Sequence, residues 1–396
     1  MRRSSPARPR GKAGRLPAIG LAAAGWLAAT LPLHALELVV AGPERVLFDQ
    51  ARDACDADDL PDAPARAFRN EAGEMVLFAP NYRNRAFTGP DLDHLKRDCA
   101  VRFAAAGSAD PALLDDRTWL QALFTDNGRD VFALASASFI PYRHGLPCAT
   151  GDARTDCWFN GLAALESHNG GATFAYLGAP RGHLPFPPPE EYRDDVADPP
   201  GFMTATNIVD WRGWLYTMLW RRGGDGDTRS HNCLARAPAD SPMEWQVWSG
   251  LAFVPAARFD GEAWQVSTAA CAPVGPPGQP VVRGIVLDEA SGTFVAVFQD
   301  RVRDRGGREE RGFFYATSTD LVNWSAPRLL LDADLQADAA RGEPWVGYPS
   351  LIDPASSDRN FGTVGKMADL VFVRFQPKGQ RSVVRQLIAL PLRITE

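Results

Sequence analysis

Acidic side chains are the groups in this sequence best placed to do chemistry. Asp53, Asp56, Asp58, Asp59 and Asp62 crowd into one short stretch, and Asp116, Glu262 and Glu343 stand apart along the chain. Two carboxyl groups facing one bond can divide acid–base work, one giving a proton while the other activates water or attacks. Other chemistries lack their residues. His34, His94, His144, His168, His183 and His231 are scattered, with no pair at helical ligand spacing. No Ser-His-Asp order, phosphate-cradling glycine loop or nucleotide fingerprint occurs. The stretch Asp53–Asp62 could hold a structural calcium ion, although it lacks the spaced EF-hand pattern, and no other cofactor is expected.

The elements that must position these acids begin after a basic leader. Arg2, Arg3, Arg8, Arg10, Lys12 and Arg15 precede an apolar run from Leu16 to Leu33. This is the pattern of a secretory signal peptide cleaved after Ala35. Residues 36–396 are then expected to form a single domain, exported and released from the membrane. The formal charge of the whole chain is -6, and removing the six leader cations leaves the rest at about -12. So acidic a body argues against nucleic-acid binding, which needs a basic footprint. Export suits the six cysteines, which lack metal-ligand spacing and form an even set. Local loop closure favours Cys55–Cys99, Cys148–Cys157 and Cys233–Cys271, though spacing alone leaves the connectivity open.

Past the leader, short β-rich runs alternate with turn residues and helical periodicity is scarce. Strands are predicted at Glu74–Ala79, Asp130–Ser138, Trp214–Trp220, Thr293–Gln299, Phe313–Ser318 and Asp369–Phe375. Short helices are predicted near Pro90–Asp98 and Asp332–Arg341. Several strands are apolar at almost every position, as when both faces of a sheet are covered. One hairpin grammar recurs: a strand, a turn carrying Asp or Asn with Gly, then a longer strand. It occurs at Ala67–Gly73, Leu123–Gly128, Ile208–Gly213, Val286–Gly292 and, more loosely, Leu351–Asp358. A second grammar follows, a polar turn closed by an aromatic, at Ser167–Phe174, Ala235–Trp245 and Ser318–Trp324. Five such units without intervening linkers predict an all-β fold, a five-bladed β-propeller of four-stranded antiparallel blades. The strand near Glu37–Phe48 is expected to close the ring by joining the last blade.

The segment Tyr315-Ala-Thr-Ser-Thr-Asp-Leu-Val-Asn-Trp-Ser-Ala-Pro327 resembles a strand of the five-bladed propeller glycoside hydrolases, the arabinanase, xylosidase and invertase group. Ser167-His-Asn-Gly-Gly-Ala-Thr-Phe174 is similar to the Asp-box of sialidases, with Asn169 in place of the usual Asp. Both motifs tie a turn and send an aromatic between blades, so they speak for fold more than chemistry. The resemblance implies a glycoside hydrolase acting on an oligo- or polysaccharide at the central funnel. Leu60–Phe68 looks like the opening strand that carries a catalytic Asp in that group, which places Asp62 in the role, with Asp59 as the fallback. The group's usual glutamate in a middle blade has no match, since Met203–Val209 carries no carboxylate. Glu343, Glu262 and Asp116 are the candidates for the second acid that glycoside cleavage requires. Arg66, Trp119, Asn207, Arg283 and Tyr348 each stand near the start of an inner strand and are expected to contact sugar. A non-catalytic carbohydrate- or protein-binding propeller is the alternative.

Overall fold

The computed structural model describes residues 36–395 apart from 149–156, 197–199, 224–229, 263, 267–270, 304–305, 337–341 and 379–381, so the leader lies outside the described residues. Five antiparallel sheets follow one another along the chain as the blades of a five-bladed propeller. Blade I runs Arg66–Arg69, Met75–Phe78, Ala86–Gly89 and Lys96–Arg97; blade II runs Arg117–Phe124, Val131–Phe139, Phe159–Ser167 and Ala175–Tyr176. Blade III starts from Gly201–Ala205 and Val209–Trp211, which both pair with Trp214–Arg222, and continues through His231–Pro238 to Gln246–Trp248 and Phe253–Pro255. Blade IV comprises Val282–Asp288, Thr293–Arg303, Glu309–Ser318 and Arg328–Asp332. In blade V, Trp345–Ile352, Met367–Lys378 and Ser382–Thr395 are followed outward by the N-terminal strands Glu37–Val40 and Arg45–Asp49.

Each hairpin seen in the sequence is the innermost pair of a blade. The near-continuous apolar strands have a direct cause, because a propeller blade is covered on both faces. In Val131–Phe139 every residue is buried. Ala133, Ala135, Ala137 and Phe139 pack towards blade I, while Phe132 and Leu134 pack towards blade III. Successive side chains of a strand point to opposite faces, so each face serves one neighbour. Five main apolar clusters result, one at each blade-to-blade interface.

The polar turns sit where the second grammar puts them. Ser167 Oγ accepts from the Gly171 amide at 3.0 Å and Asn169 Oδ1 accepts from the Thr173 amide at 3.0 Å, delivering Phe174 against Phe78 of blade I. Asp320 Oδ1 accepts from the amides of Val322 and Asn323, and Trp324 donates Nε1–H to the Leu321 carbonyl while packing at the blade III–IV interface. Gly128, in the blade II hairpin, has φ +78°, and a Cβ there would come within 2.4 Å of the Asn70 carbonyl carbon.

One expectation needs correction, and a second falls largely outside the described residues. The segment expected to be helical at Pro90–Asp98 contains only a 3-10 turn at Leu92–His94, followed by the outer strand Lys96–Arg97. Asp91 caps that turn, but pairing of Lys96 with Thr88 claims the backbone that a longer helix would need. At Asp332–Arg341, Asp332 ends a strand, Ala333–Leu335 is irregular and Gln336 is in a 3-10 turn, while 337–341, where most of the expected helix falls, lies outside the described residues. The three cysteine pairs are those that local loop closure favours: Cys55–Cys99, Cys148–Cys157 and Cys233–Cys271.

Ring closure is supplied by the N-terminal strand. Glu37–Val40 pairs with Leu392–Thr395, and Leu38 enters the apolar cluster between blades IV and V. Replacing Leu38 by Ala should cost about 2–4 kcal/mol, since a buried leucine in a close-packed seam leaves a cavity that closes poorly. Chemical denaturation would show this as a lower midpoint with an unchanged slope; an unaltered midpoint would mean that the closing strand contributes nothing to stability.

Candidate functional site

The funnel begins with irregularities in the ladders. The inner strands of blades II, III, IV and V each lose register once, at Leu120/Ala122, Phe202/Thr204, Val282/Gly284 and Gly347/Ser350. The residues left over are Gln121, Met203, Arg283 and Tyr348 with Pro349. A bulge leaves one residue unpaired and re-aims its side chain. Gln121, Met203, Arg283 and Tyr348 all line one cavity of about 390 Å³ at the mouth of the inner strands, together with Asp62, Trp119 and Trp220. Tyr348 shows the local strain of this arrangement. Its φ is +58°, a left-handed conformation that costs a bulky residue about 1–3 kcal/mol, and the Gln299 side chain of blade IV holds its amide at 3.0 Å.

Beneath the cavity lies Arg66, 3% exposed. Its Nε donates to the Gln121 carbonyl at 2.6 Å. Nη1 donates to the Ala65 carbonyl at 3.0 Å and to Ser350 Oγ at 2.9 Å. Nη2 donates to the Ala205 carbonyl at 3.3 Å and to the Arg283 carbonyl at 2.5 Å. One guanidinium therefore reaches all five inner strands, and its five N–H groups are all committed. Two of the carbonyls belong to bulge residues, whose ladder pairing is interrupted. Arg66 was expected to contact sugar; it is instead an axial plug with no donor left for a ligand. Burial, then the neighbouring Arg283 cation, pull its pKa down to about 9.

Asp62 reaches the mouth on the extended lead-in to blade I, between the buried Pro61 and Pro64. Its Oδ1 is ion-paired to Arg385 and accepts from the Tyr348 hydroxyl at 3.4 Å. Burial, followed by the Asp62 charge, pushes the Tyr348 phenol up to about 12, so it stays protonated as a donor. Arg385 also donates to the Pro61 carbonyl and lies over the Phe375 ring, which orients it. Arg283 is half-buried, with its guanidinium 5.5 Å from the Tyr348 ring centre. Burial lowers its pKa, and its Nε is buried with no hydrogen-bond partner. Trp119 is half-buried at the same cavity, and its indole N–H is likewise buried without a partner.

The remaining acids do not join Asp62 there. Asp116 is buried elsewhere in blade II, where its carboxylate accepts from the Ile140 amide at 2.6 Å and contacts His144 Nε2 at 2.7 Å. Glu343 is exposed in the bend before Trp345–Ile352 and does not line the funnel. Glu262 is exposed at a separate recess beside Trp264 and the proline run Pro187–Pro189. Asp59, the fallback, is 1% exposed and ion-paired to Arg97 in the outer strand of blade I. Its neighbours are also matched to cations, Asp53 to Arg52 and Asp56 to Arg85. Asn207 lies below the plug, where its amide accepts from the Ile285 N–H at 2.9 Å and donates to the Ile285 carbonyl at 2.7 Å. That side chain staples blade III to blade IV and is not presented to the funnel. Among the described residues, Asp62 is thus the only carboxylate lining the cavity.

Sequence reasoning placed Asp62, Trp119, Arg283 and Tyr348 at the funnel and missed Gln121, Ser136, Trp220, Arg222 and Arg385. A usable signal existed for Ser136, Trp220 and Arg222. Inner strands start at the mouth, so the antiparallel strand that follows must return to it. His231, Cys233 and Cys271 also converge, with ligand atoms within 4.8 Å of one another, but the two sulfurs are joined to each other as a disulfide.

No protein-family model matches the chain, and no curated protein matches its sequence. Solved structures that resemble it include an α-L-arabinanase of Cellvibrio cellulosa complexed with arabinohexaose (11% identity, 84% of this chain and 91% of that one, TM-score 0.46). Others are a sucrose-6-phosphate hydrolase from Lactobacillus gasseri (10% identity, 86% and 62%, TM-score 0.47) and a protein of unknown function from Dyadobacter fermentans (11% identity, 89% and 99%, TM-score 0.45). The glycoside-hydrolase propellers among them belong to the group that the Tyr315–Pro327 segment resembles.

Because the plug satisfies carbonyls that nothing else can reach, Arg66→Ala should destabilise the protein by about 3–5 kcal/mol. Arg66→Lys should still cost about 1–2 kcal/mol, since three ammonium donors cannot meet five acceptors. Urea unfolding of both variants is the measurement, and wild-type stability in the lysine variant would refute the plug.

Proposed function

We propose that this protein is an exported carbohydrate-binding propeller that holds a saccharide in the central funnel. The observation that carries this reading is the composition of the cavity. Trp119, Trp220 and Tyr348 line it beside the polar side chains of Gln121, Ser136 and Thr204, with Thr204 donating to Gln121 Oε1 at 2.8 Å, and among the described residues a single carboxylate is present, already engaged by Arg385 and Tyr348. Aromatic faces with a few placed polar groups suit a sugar ring, which is apolar on its C–H faces and polar at its rim. Cleavage of a glycosidic bond by paired carboxyl groups needs a second acid about 5–9 Å from the first. Glu343, Glu262 and Asp116 do not line the funnel. Export is supported by the basic-then-apolar leader and the three disulfides. Among the described residues no helix is long and apolar enough to cross a membrane.

A hydrolytic reading has one observation in its favour, because Asp62 lines the funnel at the position where the family resemblance puts a catalytic Asp. One experiment separates the two readings. A panel of plant and microbial saccharides is titrated calorimetrically against wild type and Trp119→Ala, with reducing ends assayed in parallel for wild type and Asp62→Asn. Binding without cleavage, weakened about three- to tenfold by the tryptophan change, is the expected outcome. Cleavage that disappears in Asp62→Asn would replace the binding reading with a glycoside hydrolase. Binding unaffected by Trp119→Ala would remove the funnel as the site.

A further inference from the structure

The axis of the ring carries more positive charge than its own acids balance. Arg66 is buried against neutral acceptors only. Arg283 stands above it, lining the cavity, and among the described residues no carboxylate or hydrogen-bond acceptor engages its side chain. The one carboxylate at the mouth, Asp62, is taken by Arg385. The lowered pKa values of Arg66 and Arg283 both register the cost of holding charge in this place. An unpaired charge withdrawn from water costs several kcal/mol unless something compensates it. Acids are plentiful elsewhere, as the chain beyond the leader is strongly negative. Yet none is spent on Arg283.

Arg283 and Trp119 both line the cavity, and among the described residues no acceptor meets the Arg283 side chain or the buried indole N–H of Trp119. A guanidinium edge offers parallel N–H groups that match the two oxygens of a carboxylate, and such pairs are roughly twice as strong as neutral hydrogen bonds. We propose that the funnel selects an acidic saccharide, a uronic acid or uronate-containing oligosaccharide, whose carboxylate is received by the Arg283 guanidinium. The inference rests on the reading that the funnel takes a saccharide, and it adds the charge of the ligand. The bulge at Arg283 has a purpose in this view. It turns a cation into the funnel where regular pairing would have kept the ladder intact, and it releases the Arg283 carbonyl to the plug below.

The test is calorimetry on the mature protein with tri-galacturonate, its methyl ester, and glucuronate- and sulfate-bearing oligosaccharides. The methyl ester keeps the sugar ring and removes only the charge. Wild type is expected to bind the free acid at least about tenfold more tightly than the ester, and Arg283→Met to abolish that preference. Should that variant not fold, wild type alone decides. Affinity for the acid should fall with added salt, and affinity for the ester should not.

Ester and acid binding equally to wild type, or a preference retained in Arg283→Met, would overturn the proposal while leaving saccharide binding in place. A preference for sulfated over carboxylated sugars would overturn the carboxylate assignment. Binding of no saccharide in either form would remove the carbohydrate reading itself, and this inference with it.

Discussion

Everything at the centre of this protein hangs on one guanidinium. Five inner strands converge on an axis where their ladders cannot continue, because each strand has a partner within its own blade and none across the ring. The polar groups exposed there must be paired, as water is excluded and each unpaired one costs about 1–3 kcal/mol. Arg66 takes an acceptor from every blade at once. A fixed, planar fork of five donors is the one side chain that can do this. The cost is a buried cation with no carboxylate beside it.

The bulges and the plug are two sides of one arrangement. Slipping one residue out of register in four inner strands turns side chains into the funnel and leaves carbonyls for Arg66 to collect. Blade-to-blade contacts at several levels of the ring are made by side-chain amides that imitate a backbone. Asn84 accepts from the Leu120 N–H and donates to the Thr118 carbonyl, linking blade I to blade II. Asn207 does the same to Ile285, linking III to IV. Asn360 spans from blade V to Thr125 of blade II in the same two-handed way. An amide has one donor face and one acceptor face, so it can pair both groups of one strand edge. These staples tie the inner strands of different blades to one another.

Above this rigid floor, the funnel's chemistry is donor-rich and poor in acids. Arg385 and Tyr348 both point their hydrogens at Asp62, while among the described residues the Trp119 indole N–H and the Arg283 Nε–H are buried without a partner. A site of this character is suited to receiving electron-rich ligand groups. Paired-carboxyl catalysis would need the opposite balance.

Much of the architecture was legible in the sequence, and for a simple reason. Which faces of a strand are buried, where a hairpin turns and where an aromatic closes a polar turn are local properties written in periodicity and in Gly, Asp and Asn. Val131–Phe139, the Ser167–Phe174 and Ser318–Trp324 turns and the closing strand at Glu37–Val40 could all be read that way. The acids could be found but not placed. Asp62, Asp59 and Asp116 look alike in sequence. One lies at the funnel, one under Arg97, and one is satisfied by Ile140 and His144. What separates them is the partner each meets from a distant part of the chain. Arg66 and Arg283 were likewise indistinguishable as arginines near the start of an inner strand, until ring closure gave one five acceptors and the other none. Local sequence determined the blades; only closing them into a ring decided which charges are matched within the protein and which are left facing the funnel.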